Sequence, residues 1–512
     1  MQGLQHRGKN TPPELPRDAG SHGRTVGAGW CYATTKRVYK VKMPPKNPPA
    51  EGLSPSIRHA AGIDVHKYLV TACVASQQGH AKPKQVSLQE FKTNPRGLSA
   101  MARFLAKFPL QSVVMEATGV YSTPVRDALE GFDGWAHRPL IVTFNPTEAK
   151  HFPGELHEDK ADAFAMARFA LMGLLRPSFI PEGITREMRE LTRAADIYTK
   201  ECTRAKIRIK QVLAAWGLAL PRLKLDSAWS LDLFRAIDWA SGDFGKALNA
   251  IRSGEFPTSP ATCTALAKRE GDYAPFETVA LPASGQTVLR SYVLMLAALG
   301  TLYARVEGEV GELVAGNPAI ERVVNQVATV DGITAITAAS IVAEIGDIGR
   351  FPTAKHFLAY AGCAPTVHQS GTKITRGHLT KRANLHLKLK FIWAGKTIAT
   401  ILKGDSELKN FAKYQFQKHP SKMQKKLVWA SVGAKVARVV FAILNTNQHY
   451  EACPNKSSDP SELPQAKSTM SSSIRELRKR SRQFVNYLNR FQAEAPEKFN
   501  AVAEAFGKIT WA

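Results

Sequence analysis

From Met188 to Trp216 the side chains Met188, Leu191, Ala195, Tyr198, Cys202, Ala205, Ile209, Val212 and Trp216 recur at alternating steps of three and four residues. Leu289, Tyr292, Leu296, Leu299, Tyr303, Val306, Val310 and Leu313 repeat the pattern further along. A helix places such positions on one side. About four heptads of the pattern predict a coiled coil, either between these two helices or between protomers; two ordinary core helices are the plainer alternative. Gly300, Gly308 and Gly311 weaken the second helix. The stretch 220–284 between them reads as irregular and rich in Pro and Gly.

The period changes towards the N-terminus. AAGIDVHKYLVTACVA (60–75) holds two β-type runs around the turn-like DVHK, and FKTN (91–94) is a third candidate strand. PRGLSAMARFLAKF (95–108) opens on proline and has helical spacing. SVVMEATG (112–119) is a short buried strand, TPVRDALEGF (123–132) a helix and PLIVTF (139–144) a strand, with a further helix from about 159. The order β-β-β-α-β-α-β-α predicts an α/β domain with a mixed sheet. The whole divides into a disordered basic leader (1–58), the α/β domain (59–182), a helical middle with an irregular insert (183–325) and a mainly helical domain (326–450). A Ser/Pro-rich linker (451–473) and a basic terminal helix (474–512) follow.

Charge sets the class of partner. The formal net charge is +26, and residues 370–438 hold sixteen Lys and Arg against only Asp405 and Glu407. A solvated surface mixes signs, so this stretch predicts a polyanion-binding face, with nucleic acid as the first candidate. The six cysteines are far apart and form no CxxC pair, which argues against zinc and a disulfide framework. No uncharged apolar run of about 18 residues is present, and the opening MQGLQHRGKNTPPELPRD has no apolar signal core. We expect no membrane partner and a cytoplasmic location, nucleoid-associated when DNA is bound.

Four acids stand out against this basic background. Asp64 lies in a strand whose Ile63 and Val65 face the other way, and Glu116 ends the strand SVVME. Asp159 and Asp162 are i, i+3 neighbours on a helix. If the strands are adjacent and the helix packs on their ends, the four carboxylates converge and repel each other unless a divalent cation binds. Hard oxygen donors suit Mg²⁺ or Mn²⁺, and two such ions support phosphodiester cleavage. First-turn acids that merely complement the helix dipole are the bland alternative.

GIDVHK, MEATGVY and NPTEAKHFPGELHEDKADAFAMARFALMGLLRPSFIP resemble the DEDD-type insertion-sequence transposases of the IS-one-ten family and their Piv/MooV invertase relatives. VDGITAITAASIVAEIGDIGRF and AYAGCAPTVHQSGTKITRGHLTKRANLHLK extend the similarity, which covers about 60–217 and 326–445. The resemblance implies a RuvC-like (RNase H fold) domain with Asp64, Glu116, Asp159 and Asp162 as its metal-binding catalytic set. It implies a C-terminal transposase domain whose Ser370 attacks a DNA phosphate and becomes covalently linked. It further implies DNA as substrate, a structured bridge RNA as guide, and a dimer or tetramer in which the metal carboxylates come from a partner subunit.

Taken alone, Ser370 sits in a Ser-Gly pair, which is more often a plain turn than a nucleophile. Lys373, Arg376, Lys381 and Arg382 follow closely and could hold phosphates. VDGITAITAASIVAEIG has the form of a helix-hairpin-helix without its second glycine, and AGKT (394–397) has Lys390 where a P-loop needs glycine. A metal-dependent structure-specific nuclease that uses water, and a non-catalytic nucleic-acid-binding protein, are the competing readings.

Overall fold

A computed structural model of the chain describes residues 57–79, 81–117, 119–145, 159–175, 177–225, 227–370, 373–380, 383–421 and 424–450. The expected leader (save residues 57 and 58), the linker and the terminal helix lie outside them.

Strands His59–Val65 (β1) and Leu69–Ser76 (β2) form a hairpin, and Lys84–Lys92 (β3) pairs with β2. The expected strand at FKTN reaches back to Lys84. In its earlier residues Val86 and Leu88 alternate with polar side chains and most are exposed, as an edge strand permits, so no continuous apolar run announces it. The Asn94 side chain then accepts from Gly97 N–H at 2.8 Å, and Pro95 begins the helix Pro95–Leu105 (α1). Ser112–Glu116 (β4), Ser122–Glu130 (α2), Leu140–Phe144 (β5) and Asp159–Leu171 (α3) complete this part.

The sheet order is β3-β2-β1-β4-β5, with β2 antiparallel to both neighbours and β1, β4 and β5 parallel. The mixed α/β sheet expected from the sequence is present, and both its faces are covered. Ala61, Ile63 and Val65 of β1 and Val113 and Met115 of β4 pack on Leu98, Met101 and Leu105 of α1 and Val125 and Leu129 of α2. Ala60, Val114, Val142 and Phe144 pack on Met166, Ala167 and Ala170 of α3. Burial on both sides explains why the central strands read as continuous apolar runs.

The rest is mostly helical. Gly183–Ala215 (α4) is followed by Ala228–Trp239 (α5), Phe244–Ser253 (α6), Pro260–Ala267 (α7), Glu270–Tyr273 (α8) and Ala283–Ala315 (α9). The two long predicted helices, α4 and α9, pack antiparallel: Met188 shares a core with Val310 and Val314, and Ile209 and Leu213 share another with Leu289 and Val293. The stretch read as irregular is instead four short helices. Asp243 and Ser259 cap two of them, and Leu233, Phe234, Phe244, Leu248 and Tyr273 bury against the tip of the α4–α9 pair. Helices this short are marginal alone and form because the tip covers them.

Pro318–Ala328 (α10), Ala335–Ile345 (α11) and Ala354–Tyr360 (α12) lead to the antiparallel hairpin Pro365–Ser370 (β6) and Lys373–Leu379 (β7). Leu385–Thr400 (α13), Glu407–Lys418 (α14) and Lys425–Thr446 (α15) close the described chain. Helices α13 and α15 cross backbone to backbone: a Cβ on Gly395 would lie 2.6 Å from Gly433 N, and one on Gly433 2.5 Å from the Phe391 carbonyl oxygen. AGKT is therefore part of a helix, its Ala394 and Gly395 buried in the packing. Helices α9 and α15 are long and apolar enough to cross a membrane by length and composition; both bury residues in the protein cores, including Val310 and Val314 of α9 and Val432, Val436 and Val440 of α15.

Candidate active site

Asp64 and the first residue, His59, are half-buried in β1, and the other five residues are buried. Its face follows from pleat alternation: Ala60 packs on α3, so Gly62 and Asp64 face α3 too. Glu116 shares that face with Val114. Ile63 pairs with Met115, so Asp64 and Glu116 are one residue further along the same parallel ladder, on strands ~4.8 Å apart. Asp64 also pairs with Thr71, Thr71 with Glu90, and Glu116 with Phe144. One lateral row therefore runs Glu90, Thr71, Asp64, Glu116, Phe144.

Helix α3 lies across this row because β1 has a glycine there. A Cβ on Gly62 would collide with the Ala163 carbonyl oxygen and stand 2.5 Å from Ala167 N. Asp162 immediately precedes Ala163 and is half-buried, and Asp159 begins the helix one turn earlier. The Asp159 side chain is outside the described set. Lys160 reaches back to Glu90 at 3.4 Å.

Two side chains absent from the sequence reading touch this row. His66 Nε2 lies 2.9 Å from Asp64 Oδ2; its i, i+2 spacing in IDVH was visible, but the turn that folds it back was not. Thr71 Oγ1 is buried and has no hydrogen-bond partner among the described residues. Carboxylates with an unsatisfied hydroxyl beside them are a donor set that fits a hard divalent cation. Among the described residues no three His, Cys, Asp or Glu side chains form a ready-made metal cluster.

Ser370 ends β6 and pairs with Lys373, the first residue of β7, while Arg376 pairs with Val367. The side chains of Ser370, Lys373 and Arg376, and all of Lys381 and Arg382, lie outside the described residues. Among the described residues the hairpin makes no extensive contact with the five-stranded sheet or with α3.

The segment after the hairpin is tied to α4 through a buried acid. Asn384 caps α13, accepting from Leu387 N–H, and its Nδ2 donates to Glu344 Oε2 at 2.7 Å. Glu344, fully buried in α11, meets Arg193 at 2.7 Å and Arg189 at 3.3 Å. Burial pushes the Glu344 carboxyl up, but Arg193, Arg189 and Asn384 together hold it below its ordinary value. The α10–α11 turn is packed too: a Cβ on Gly332 would lie 2.9 Å from the Ala394 carbonyl oxygen.

Comparison with known proteins finds two family matches. Residues 61–216 match a DEDD model described as Transposase, and residues 324–412 match the Transposase IS116/IS110/IS902 family. An "Insertion element IS110 uncharacterized 43.6 kDa protein" from Streptomyces coelicolor is 26% identical over 64% of this chain and 80% of its own length. A "Probable family 20 transposase" of Pseudomonas aeruginosa is 26% identical over 41% of this chain and 57% of its own. The "Pilin gene-inverting protein" of Moraxella bovis is 25% identical over 29% and 44%. Among solved structures, RuvC of T. thermophilus with a Holliday junction substrate aligns with 23% of this chain and 99% of its own, at 19% identity and a TM-score of 0.19.

Proposed function

We propose that this chain, an IS110-family DEDD transposase by the two models that it matches, cuts and rejoins DNA strands by metal-assisted phosphodiester transfer. The observation that carries the reading is the Asp64–Glu116 row with the Asp159–Asp162 helix laid across it by Gly62. Asp64, Glu116, Asp159 and Asp162 would hold Mg²⁺ or Mn²⁺. A divalent ion bound there supplies Lewis-acid stabilisation of charge on phosphoryl oxygens. His66 keeps the Asp64 carboxylate oriented through its 2.9 Å contact.

Ser370 is the proposed nucleophile. Its hydroxyl gives up a proton to solvent as Oγ bonds to phosphorus, the P–O bond to the adjoining sugar breaks, and that sugar oxygen takes a proton from solvent and leaves as a hydroxyl. Lys373, Arg376, Lys381 and Arg382 hold the flanking phosphates. The working assembly is a homo-oligomer in which one protomer's serine meets its partner's carboxylates, in keeping with the lack, among the described residues, of extensive contact between the hairpin and the five-stranded sheet. The antiparallel α4–α9 pair, read as a coiled coil, is the proposed assembly element. A structured RNA guide would read the target by pairing, leaving the protein to read backbone and shape. Such a protein works on the chromosome in the cytoplasm.

Protein, candidate guide RNA and a mini-element with donor and target DNA are incubated with Mg²⁺ and resolved under denaturing conditions. A covalent protein–DNA adduct is expected with the wild type and absent with Ser370→Ala. An adduct that persists in the variant sinks the serine role. Strand cleavage without any adduct favours a nuclease in which water attacks.

A further inference from the structure

Away from the carboxylate row, α13 and α15 set a lysine between two indole rings. Trp393 is 58% exposed, and Lys396 Nζ lies 4.3 Å from its ring centroid and 5.3 Å from that of Trp429. Trp393 and Lys396 are i, i+3 on α13, and Leu389 and Leu385 continue the exposed face one and two turns back. On α15, exposed Lys425 and Lys426 stand one turn before Trp429. The glycine crossing at Gly395 and Gly433 holds the two faces side by side.

The charge of this face selects its occupant. No ion pair engages Lys396, Lys425 or Lys426 among the described residues. The two acids between 370 and 438 are already matched, Asp405 with Lys413 at 2.8 Å and Glu407 with Lys435 at 2.5 Å. A second copy would present the same cations and be repelled. A polyanion with flat apolar rings fits both the charge and the exposed indole. Duplex DNA hides its base faces, whereas a single strand offers them for stacking.

We infer that this face binds single-stranded DNA: one unstacked base lies on Trp393, Leu389 extends the platform, and Lys396, Lys425 and Lys426 neutralise neighbouring phosphates. The inference rests on the reading that the chain works on DNA, but it concerns a surface apart from the carboxylates and the serine.

The test is fluorescence anisotropy of the full chain, in chelator, with labelled oligo-dT of about twelve nucleotides and a blunt duplex of equal length. Trp393→Ala is expected to weaken single-strand binding by roughly 5- to 100-fold and to leave duplex binding within about twofold. Trp393→Phe should retain most of the affinity, since a stacking ring remains. Lys396→Ala should shallow the salt dependence by about 0.7 in the log–log slope. Unchanged single-strand binding by Trp393→Ala overturns the proposal, as does an equal loss on duplex or a preference for the matching RNA of more than about tenfold. Conversion of the variant to a smaller oligomer, seen by sedimentation, also overturns it by assigning the face to self-association. Wild-type protein that binds neither probe counts instead against the DNA reading itself.

Discussion

Gly62 and Ala163 touch backbone to backbone, and that contact decides where α3, with Asp159 and Asp162, crosses the strand carrying Asp64. Gly62→Ala is expected to cost about 1–3 kcal/mol, the usual penalty for overpacking a tight contact. It should lower strand cleavage more than it lowers the folded fraction, because the helix shifts relative to Asp64. Chemical denaturation alongside a cleavage assay checks this. A variant as stable and as active as wild type would remove the contact from the argument.

Asp162→Asn keeps the size of the side chain and discards its charge. Cleavage should fall by on the order of a hundredfold or more, while duplex binding and melting temperature stay close to wild type. Chelation should reproduce the loss in the wild-type protein, and added Mg²⁺ or Mn²⁺ should restore it. Full activity in chelator would exclude the metal role of these acids.

Glu344 offers a stability prediction independent of catalysis. Replacing it with leucine leaves Arg189 and Arg193 facing an apolar side chain and frees Asn384 Nδ2 from its acceptor. Losing one partner of a buried ion pair costs about 3–5 kcal/mol, read as a lower denaturant midpoint. An unchanged midpoint would show that the network contributes nothing net.

The same carboxylate makes stability depend on pH in one direction. Its folded value is depressed below the ordinary 4.5, so the folded state binds fewer protons than the unfolded state in that range. Its contribution is fully present above pH 4.5 and is lost as pH falls through the depressed value. Asp196, pushed up by burial but held below 3.8 by His386 and Lys390, acts in the same sense. Denaturation midpoints measured downward from pH 6 should fall more steeply in wild type than in a Glu344→Gln variant.

Gly433→Ala tests the crossing that positions Trp393 and Trp429. A Cβ there would stand 2.5 Å from the Phe391 carbonyl oxygen, so α13 and α15 must part. A loss of about 1–3 kcal/mol is expected by thermal or chemical unfolding.

Local pattern alone made much of this protein legible. The three-and-four repeats of α4 and α9, the apolar strands β1 and β4, and the acids at their ends are properties of residues close in sequence, where helical and pleated periods act directly. The family resemblance rested on similarly short stretches, and the matched models cover the same two regions. Tertiary packing decided the rest. Strand β3 is an edge with no continuous apolar run to announce it, and Glu90 joins the acidic row only through its register with Thr71. The helices of 228–273 are too short to hold themselves and exist because the α4–α9 tip buries them. His66 reaches Asp64 because a turn folds it back, Glu344 is charged in the core because two arginines from α4 meet it, and α3 crosses β1 where a glycine lets it. Each depends on contacts between segments far apart in the chain: local sequence sets which face a residue takes, and only the packed fold sets which other face it meets.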